Sequence, residues 1–128
     1  MILLDTHAII WLASDPDQLS AAAQSAIRAH PASLHISIVS AWEISLLAKR
    51  RRVALPLPPD EYFARAVAHH GLIELPLTRQ VAQASVALPD IHNDPFDRIL
   101  IAECNAHGLS LISRDTTITK YPGLRVIW

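Results

Sequence analysis

Five short apolar runs recur along the chain: ILLD at 2–5, LHISI at 34–38, LIELPL at 72–77, LSLIS at 109–113 and LRVIW at 124–128. Runs this short suit buried strands better than helices, which need about ten residues or more. Most of the segments between them carry apolar residues at helical spacing. Strands buried on both faces and alternating with helices imply a mostly parallel central sheet covered on either side, an α/β fold built as a three-layer α/β/α sandwich. Ligands in such sheets bind beyond the carboxyl ends of the strands, so residues at those ends are the first candidates for function.

Six helices are expected. Thr6–Ala13 follows the first strand, and Ser20 caps the alanine-rich SAAAQSAIRAH, which stops before Pro31. The third starts at Ser37 or Ser40 and ends in the basic run Lys49, Arg50, Arg51, Arg52. After the proline-rich connector ALPLPPDE, a helix from about Asp60 to His70 is closed by Gly71. TRQVAQASVAL is the fifth. DPFDRILIAECNAH is the sixth, with Asp94 as N-cap, Pro95 in the first turn and Gly108 just beyond the end.

Composition then limits the setting. Apolar residues at 51%, charged residues at 18% and only three glycines exclude a disordered or fibrous chain, and residues 1–128 are expected to form a single domain. Cys104 is the only cysteine, so no intramolecular disulfide forms and a reducing, cytoplasmic location is expected. The apolar start MILLDTHAIIWLA lacks the basic onset of a leader, and Asp5 and His7 interrupt it well short of a membrane span. With a formal charge of −1, no overall positive field draws in a polyanion, and any nucleic-acid contact rests on local patches. The run Lys49–Arg52 is one such patch, although cations also suit the last turn of a helix.

Four acids fall close to strand ends. Asp5 follows the first strand, Asp115 follows LSLIS after two residues, Glu43 sits in the helix after the second strand, and Asp97 lies in the first turn of the sixth helix. Singly, each has a local explanation: Asp5 as a helix cap, Asp97 in a capping box behind Asp94, Asp115 at a turn, Glu43 turned to solvent. Their coincidence at one end of one sheet is not what unrelated caps would produce. Clustered carboxylates repel one another, and burial disfavours their charged form, so a divalent cation is the natural counterpart. Oxygen donors without companion cysteines favour Mg²⁺ or Mn²⁺ over zinc. Such a site suits metal-assisted phosphodiester hydrolysis.

The segments ILLDTHAIIWL, SIVSAWEISL, HNDPFDRILIAE and LISRDTTITKYPGLRVIW, in that order, resemble the PIN-domain ribonucleases and, within them, the VapC-type toxins of bacterial toxin–antitoxin pairs. The resemblance covers essentially the whole chain. It implies a Mg²⁺- or Mn²⁺-dependent endoribonuclease whose catalytic, metal-binding acids match Asp5, Glu43, Asp97 and Asp115. Asp94 matches a further acid of this subgroup and is mainly the cap. The resemblance also makes Thr6 and Ser113 hydroxyls that orient Asp5 and Asp115, and Arg98 and Arg114 candidate contacts to RNA phosphate. Where similar chains carry a lysine four residues after the second acid this one has Leu47, so the substrate-facing charge shifts to Lys49 and the run up to Arg52. His7 and His92 lie near the rim.

Partners implied by the resemblance are an RNA substrate, a cognate VapB-type antitoxin reaching a basic side chain into the acids, and a second copy in a homodimer, with no membrane association. Trp11, Trp42 and Trp128 are candidate apolar contacts. A catalytically weak binding module with an acidic rim is the alternative. An aspartyl-phosphate enzyme fits poorly, because it needs an acid two residues after its nucleophile and that place is His7.

Overall fold

The computed structural model describes all residues from Met1 to Trp128. Five strands, β1 (Ile2–Leu4), β2 (Leu34–Ser37), β3 (Ile73–Leu75), β4 (Ser110–Ile112) and β5 (Val126–Ile127), alternate with six helices. These are α1 (Thr6–Ser14), α2 (Ala21–Ala29), α3 (Ile38–Lys49), α4 (Pro59–His70), α5 (Arg79–Ala87) and α6 (Pro95–His107). Two single turns of 3-10 helix, Pro16–Gln18 and Ile118–Lys120, add to the expected elements. The sheet order is β3-β2-β1-β4-β5, and every pairing is parallel.

Alternation along the strands divides the core. Ile2 and Leu4 of β1, with Ile36 and Ile112, pack under α1, α2 and α4 together with Ile9, Ala23 and Phe63. Leu3 and Leu111 face the other way, onto Leu100, Ile101 and Cys104 of α6. Successive side chains of a strand point to opposite faces, so a strand covered on both sides must be apolar throughout. Helix α3 takes part in both layers, with Ile44 in the first cluster and Val39 in the second. No helix is long and apolar enough to cross a membrane.

Helix ends follow local chemistry. Ser37, Ser20, Thr78 and Asp94 accept hydrogen bonds from first-turn backbone N–H groups, leaving fewer donors unpaired. Of the two serines able to start α3, Ser37 is the cap. Gly71 and Gly108 close α4 and α6 with φ of 61° and 66°, the left-handed region that a side chain disfavours.

Among the buried polar residues, one is a carboxylic acid with no solvent exposure at all. Glu103 in α6 is fully buried; its Oε1 accepts a 2.9 Å hydrogen bond from the Ser37 hydroxyl, while Oε2 has no partner. Burial pushes its carboxyl up to about 7 from 4.5. An acid whose pKa rises on folding stabilises the fold below its unfolded pKa, and that contribution disappears as pH climbs through the folded value. Glu103→Gln, a mimic of the protonated form, is therefore expected to leave stability unchanged near pH 4 and to raise it by up to about 3 kcal/mol at pH 8. Urea unfolding at the two pH values measures this, and equal effects at both would refute it.

Candidate active site

The strand order reverses around β1, whose neighbours β2 and β4 lead to opposite edges of the sheet. Crevices at such switch points, beyond the carboxyl ends of the strands, are where open α/β sheets place ligands. Asp5 is the residue after β1, and its backbone N–H donates to Ile112 O at 3.1 Å, which ties it to the end of β4. Ser113 and Asp115 follow β4. Glu43 arrives from the second turn of α3, and Asp94 and Asp97 from the start of α6. These five carboxylates line one cleft of about 300 Å³ together with Thr6, His7, Trp11 and Arg114. The acids separated in sequence thus share one space.

Several of the local roles coexist with this placement. Asp5 Oδ1 caps α1 by accepting from Ala8 N at 2.7 Å, and Asp94 Oδ1 caps α6 by accepting from Phe96 N at 2.8 Å. Each cap uses one oxygen and leaves the other for the cleft.

Burial raises the carboxyls of Asp5, Glu43 and Asp97, the last to about 7, and neighbouring carboxylates raise them further: Asp115 acts on Asp5, Asp94 and Asp5 on Glu43, and Asp94, Glu43 and Asp5 on Asp97. Hydroxyls offset part of this: Ser113 lowers Asp5, and Thr6 lowers Glu43. Asp115 differs. It is 35% exposed on its side chain, and hydrogen bonds from His92 and Thr117 outweigh desolvation and hold its carboxyl below the usual range. Nearby histidines offset burial only in part, His7 acting on Asp5 and Glu43 and His92 on Asp97, so burial prevails at three of the four acids, while hydrogen bonds stabilise the charge of the fourth.

The expected supporting residues are redistributed. Thr6 does not orient Asp5; its hydroxyl donates to Ser40 Oγ at 3.1 Å, on the Glu43 side. Ser113 Oγ accepts from the Asp115 backbone N–H at 3.1 Å, which shapes the turn, while its hydroxyl serves Asp5. Arg98 is a clear correction to the phosphate-binding expectation. Its guanidinium makes six hydrogen bonds, to the carbonyls of Ser85, Val86, Leu88, Pro89 and His92 and to the Tyr121 hydroxyl. It satisfies the carbonyls left open at the end of α5 and has no free donor for a substrate. Arg114 remains exposed with its guanidinium 5.6 Å from the centre of the Trp11 ring, at the mouth of the cleft. Lys49 is exposed and lines neither this cleft nor the adjoining one; Arg50 and Arg52 line the latter, beside Leu46, Leu47, Pro95 and Phe96.

His92 has a larger part than its place near the rim suggested. Its Nε2 stands 2.6 Å from Asp115 Oδ2 and 3.1 Å from Asp97 Oδ2. The available signal in HNDPFDR was positional: a ring two residues before the cap can reach back to the cap's own N–H.

Residues of this kind fit a hard divalent cation. Asp5, Glu43 and Asp97 are partly desolvated oxygen donors lining one cleft, the donor chemistry Mg²⁺ or Mn²⁺ requires, while the three potential ligand atoms within 4.8 Å of one another belong to His92, Asp97 and Asp115. Fold and cleft together define a class of protein: an all-parallel α/β/α domain with a metal-suited acidic pocket at its switch point. The chain belongs to the PIN-domain family, whose model matches residues 2–124. It is 31% identical over 130 residues to Ribonuclease VapC22 of Mycobacterium tuberculosis, covering 99% of this chain and 98% of that protein. Its fold is similar to a toxin–antitoxin complex from Klebsiella pneumoniae (TM-score 0.68, 24% identity, 97% of this chain and 95% of that one). It also resembles DNA-bound VapBC from Salmonella typhimurium (TM-score 0.70, 17% identity, 98% and 95%). VapBC2 from Rickettsia felis, bound to a promoter DNA fragment, matches at TM-score 0.72 with 10% identity, over 98% and 97%.

Proposed function

We propose that this protein is a Mg²⁺- or Mn²⁺-dependent endoribonuclease and the toxin of a type II toxin–antitoxin pair, acting in the cytoplasm. The observation that carries this reading is the convergence of Asp5, Glu43 and Asp97, all with raised carboxyl pKa, in one cleft at the switch point. Likeness to a protein named as a ribonuclease supports the substrate class. A divalent ion bound there supplies acidification of water at neutral pH and neutralisation of charge on the scissile phosphate.

The chain's own residues do the rest. Asp5, Glu43 and Asp97 hold the ion, and Asp115 closes the acidic wall on the β4 side. Arg114, braced on Trp11, is the cation placed to receive an RNA phosphate, and Arg50 and Arg52 extend a basic path along the adjoining cleft. That cleft also offers Leu46, Leu47, Pro95 and Phe96 to a short VapB-type antitoxin segment whose basic side chain would pair with the acids.

A second copy is the partner proposed for the exposed apolar face of α3. Ile38 is 48% exposed and Trp42 61%, with Phe96 edge-on to Trp42 at 5.1 Å. Sedimentation equilibrium checks this by mass, and a monomer at micromolar concentration would remove the homodimer from the proposal.

The nuclease reading is tested by incubating purified protein with total RNA and Mn²⁺ and sequencing the new ends. Ends bearing 5′-phosphate and 3′-hydroxyl, absent when a chelator is added, are expected. Cleavage that survives chelation, or that leaves 2′,3′-cyclic phosphate, overturns it.

A further inference from the structure

His92 is held by more contacts than any acid in the cleft. Its ring Nδ1 accepts a 3.0 Å hydrogen bond from the backbone N–H of Asp94. Its own backbone N–H donates to the Tyr121 hydroxyl at 2.9 Å, and its carbonyl accepts from Arg98 at 3.0 Å. A backbone N–H can only donate, so Nδ1 must present a lone pair. In the neutral imidazole the proton then sits on Nε2, the atom facing Asp115 Oδ2 at 2.6 Å and Asp97 Oδ2 at 3.1 Å.

This tautomer decides between two readings of the cluster formed by His92, Asp97 and Asp115, whose ligand atoms lie within 4.8 Å of one another. A histidine ligand needs a lone pair on the coordinating nitrogen and usually donates the other N–H to an oxygen. Here the polarity is reversed, with the acceptor at Nδ1 and the donor at Nε2. Asp115 is engaged on both oxygens, Oδ1 by Thr117 N at 2.8 Å and Oδ2 by His92. Asp97 Oδ2 stands 3.1 Å from the same Nε2, and its Oδ1 takes no part in that contact.

We infer that His92 is a positioning residue and not a metal ligand: fixed as the Nε2–H tautomer by Asp94, it clamps Asp115 to Asp97 and aims the other oxygen of Asp97 at the ion. It rests on the metal-site reading above and adds to it which side chain orients the ligand. Asp115 acts through the same clamp, outside the ion's ligands. The six-fold anchoring of Arg98 extends the support to the backbone of the His92 loop.

Mn²⁺ serves as the probe, with full-length protein studied by titration calorimetry and pulsed EPR. Wild-type protein is expected to bind Mn²⁺ without a directly coordinated nitrogen. His92→Ala is expected to weaken Mn²⁺ binding by about 10–100-fold, the usual cost of losing a group that orients a ligand. His92→Gln, which restores an N–H near the Nε2 position, should recover most of that affinity, a rescue that a merely structural role would not produce. Circular dichroism and thermal melts establish that each variant is folded; should His92→Ala fail to fold, His92→Gln and the wild-type spectrum decide. Unchanged Mn²⁺ affinity in His92→Ala overturns the inference. So does a strongly coupled ¹⁴N signal in wild type that vanishes in the variants, since it makes His92 a ligand. Wild-type protein that takes up no Mn²⁺ defeats the metal-site reading itself, and this inference with it.

Discussion

Asp97→Asn is expected to reduce Mn²⁺-dependent RNA cleavage by about 10³-fold or more while making the metal-free protein more stable. The loss follows from removing a charged ligand from an ion whose stabilisation of the transition state amounts to several kcal/mol. The gain follows from the cleft's own electrostatics. Burial and the charges of Asp94, Glu43 and Asp5 push the Asp97 carboxyl up to about 7 from 3.8, so at pH 8 the folded protein carries an ion it disfavours. The sign is that of any acid raised on folding: the contribution is favourable below pH 3.8 and is lost as pH rises through about 7. Because its side chain is 19% exposed and screened, about 2 kcal/mol is expected for asparagine at pH 8, with the difference vanishing below pH 3.8. Gel-based cleavage assays and chelator-treated thermal melts read the two effects separately. Retained cleavage removes Asp97 from the metal site, and a destabilised variant at pH 8 contradicts the repulsion argument.

Arg98→Ala carries the largest expected loss of stability, about 3 kcal/mol, or roughly 10 °C in the thermal midpoint. Its guanidinium joins the last carbonyls of α5 to the loop before α6 through hydrogen bonds of 2.9–3.2 Å. Without it those carbonyls lose their donors, and the partly buried ones carry a desolvation cost that the hydrogen bonds had offset. Lysine cannot span the set, because its ammonium offers three donors from one point where arginine offers five from a planar fork. Arg98→Lys is accordingly expected to recover less than half of the loss. Calorimetric melts of the two variants decide the matter; a shift under 2 °C in the alanine variant would show that the α5–α6 junction is held by packing alone.

Much of the architecture was legible residue by residue. Apolar runs marked the strands, Ser20 and Asp94 marked helix starts, and Gly71 and Gly108 marked helix ends, because caps and left-handed turns are decided by a few neighbouring residues. The placement of Asp5, Glu43, Asp97 and Asp115 near strand ends was readable for the same reason. Arg98 looked like a phosphate contact, and nothing within DPFDRIL indicates that the end of α5 lies beside it. Glu103, one residue before Cys104 on the buried side of α6, gave no sign that it packs against Ser37, 66 positions away. Thr6 looked like the partner of the acid next to it, but a helix turns neighbouring side chains apart, and its hydroxyl reached Ser40.

The amino-acid order alone determined which segments become strand or helix and which acids stand at the ends of strands, since dihedral preference and periodicity act over a few residues. Tertiary structure decided who faces whom: the 3-2-1-4-5 strand order that gathers the acids, the buried carboxyls that raise one another, the His92 tautomer set by Asp94, and the carbonyl cage that takes Arg98 away from the substrate. Those pairings depend on crossovers between distant elements, and hydrogen-bond and charge energies fall off over a few ångströms, so no local pattern encodes them.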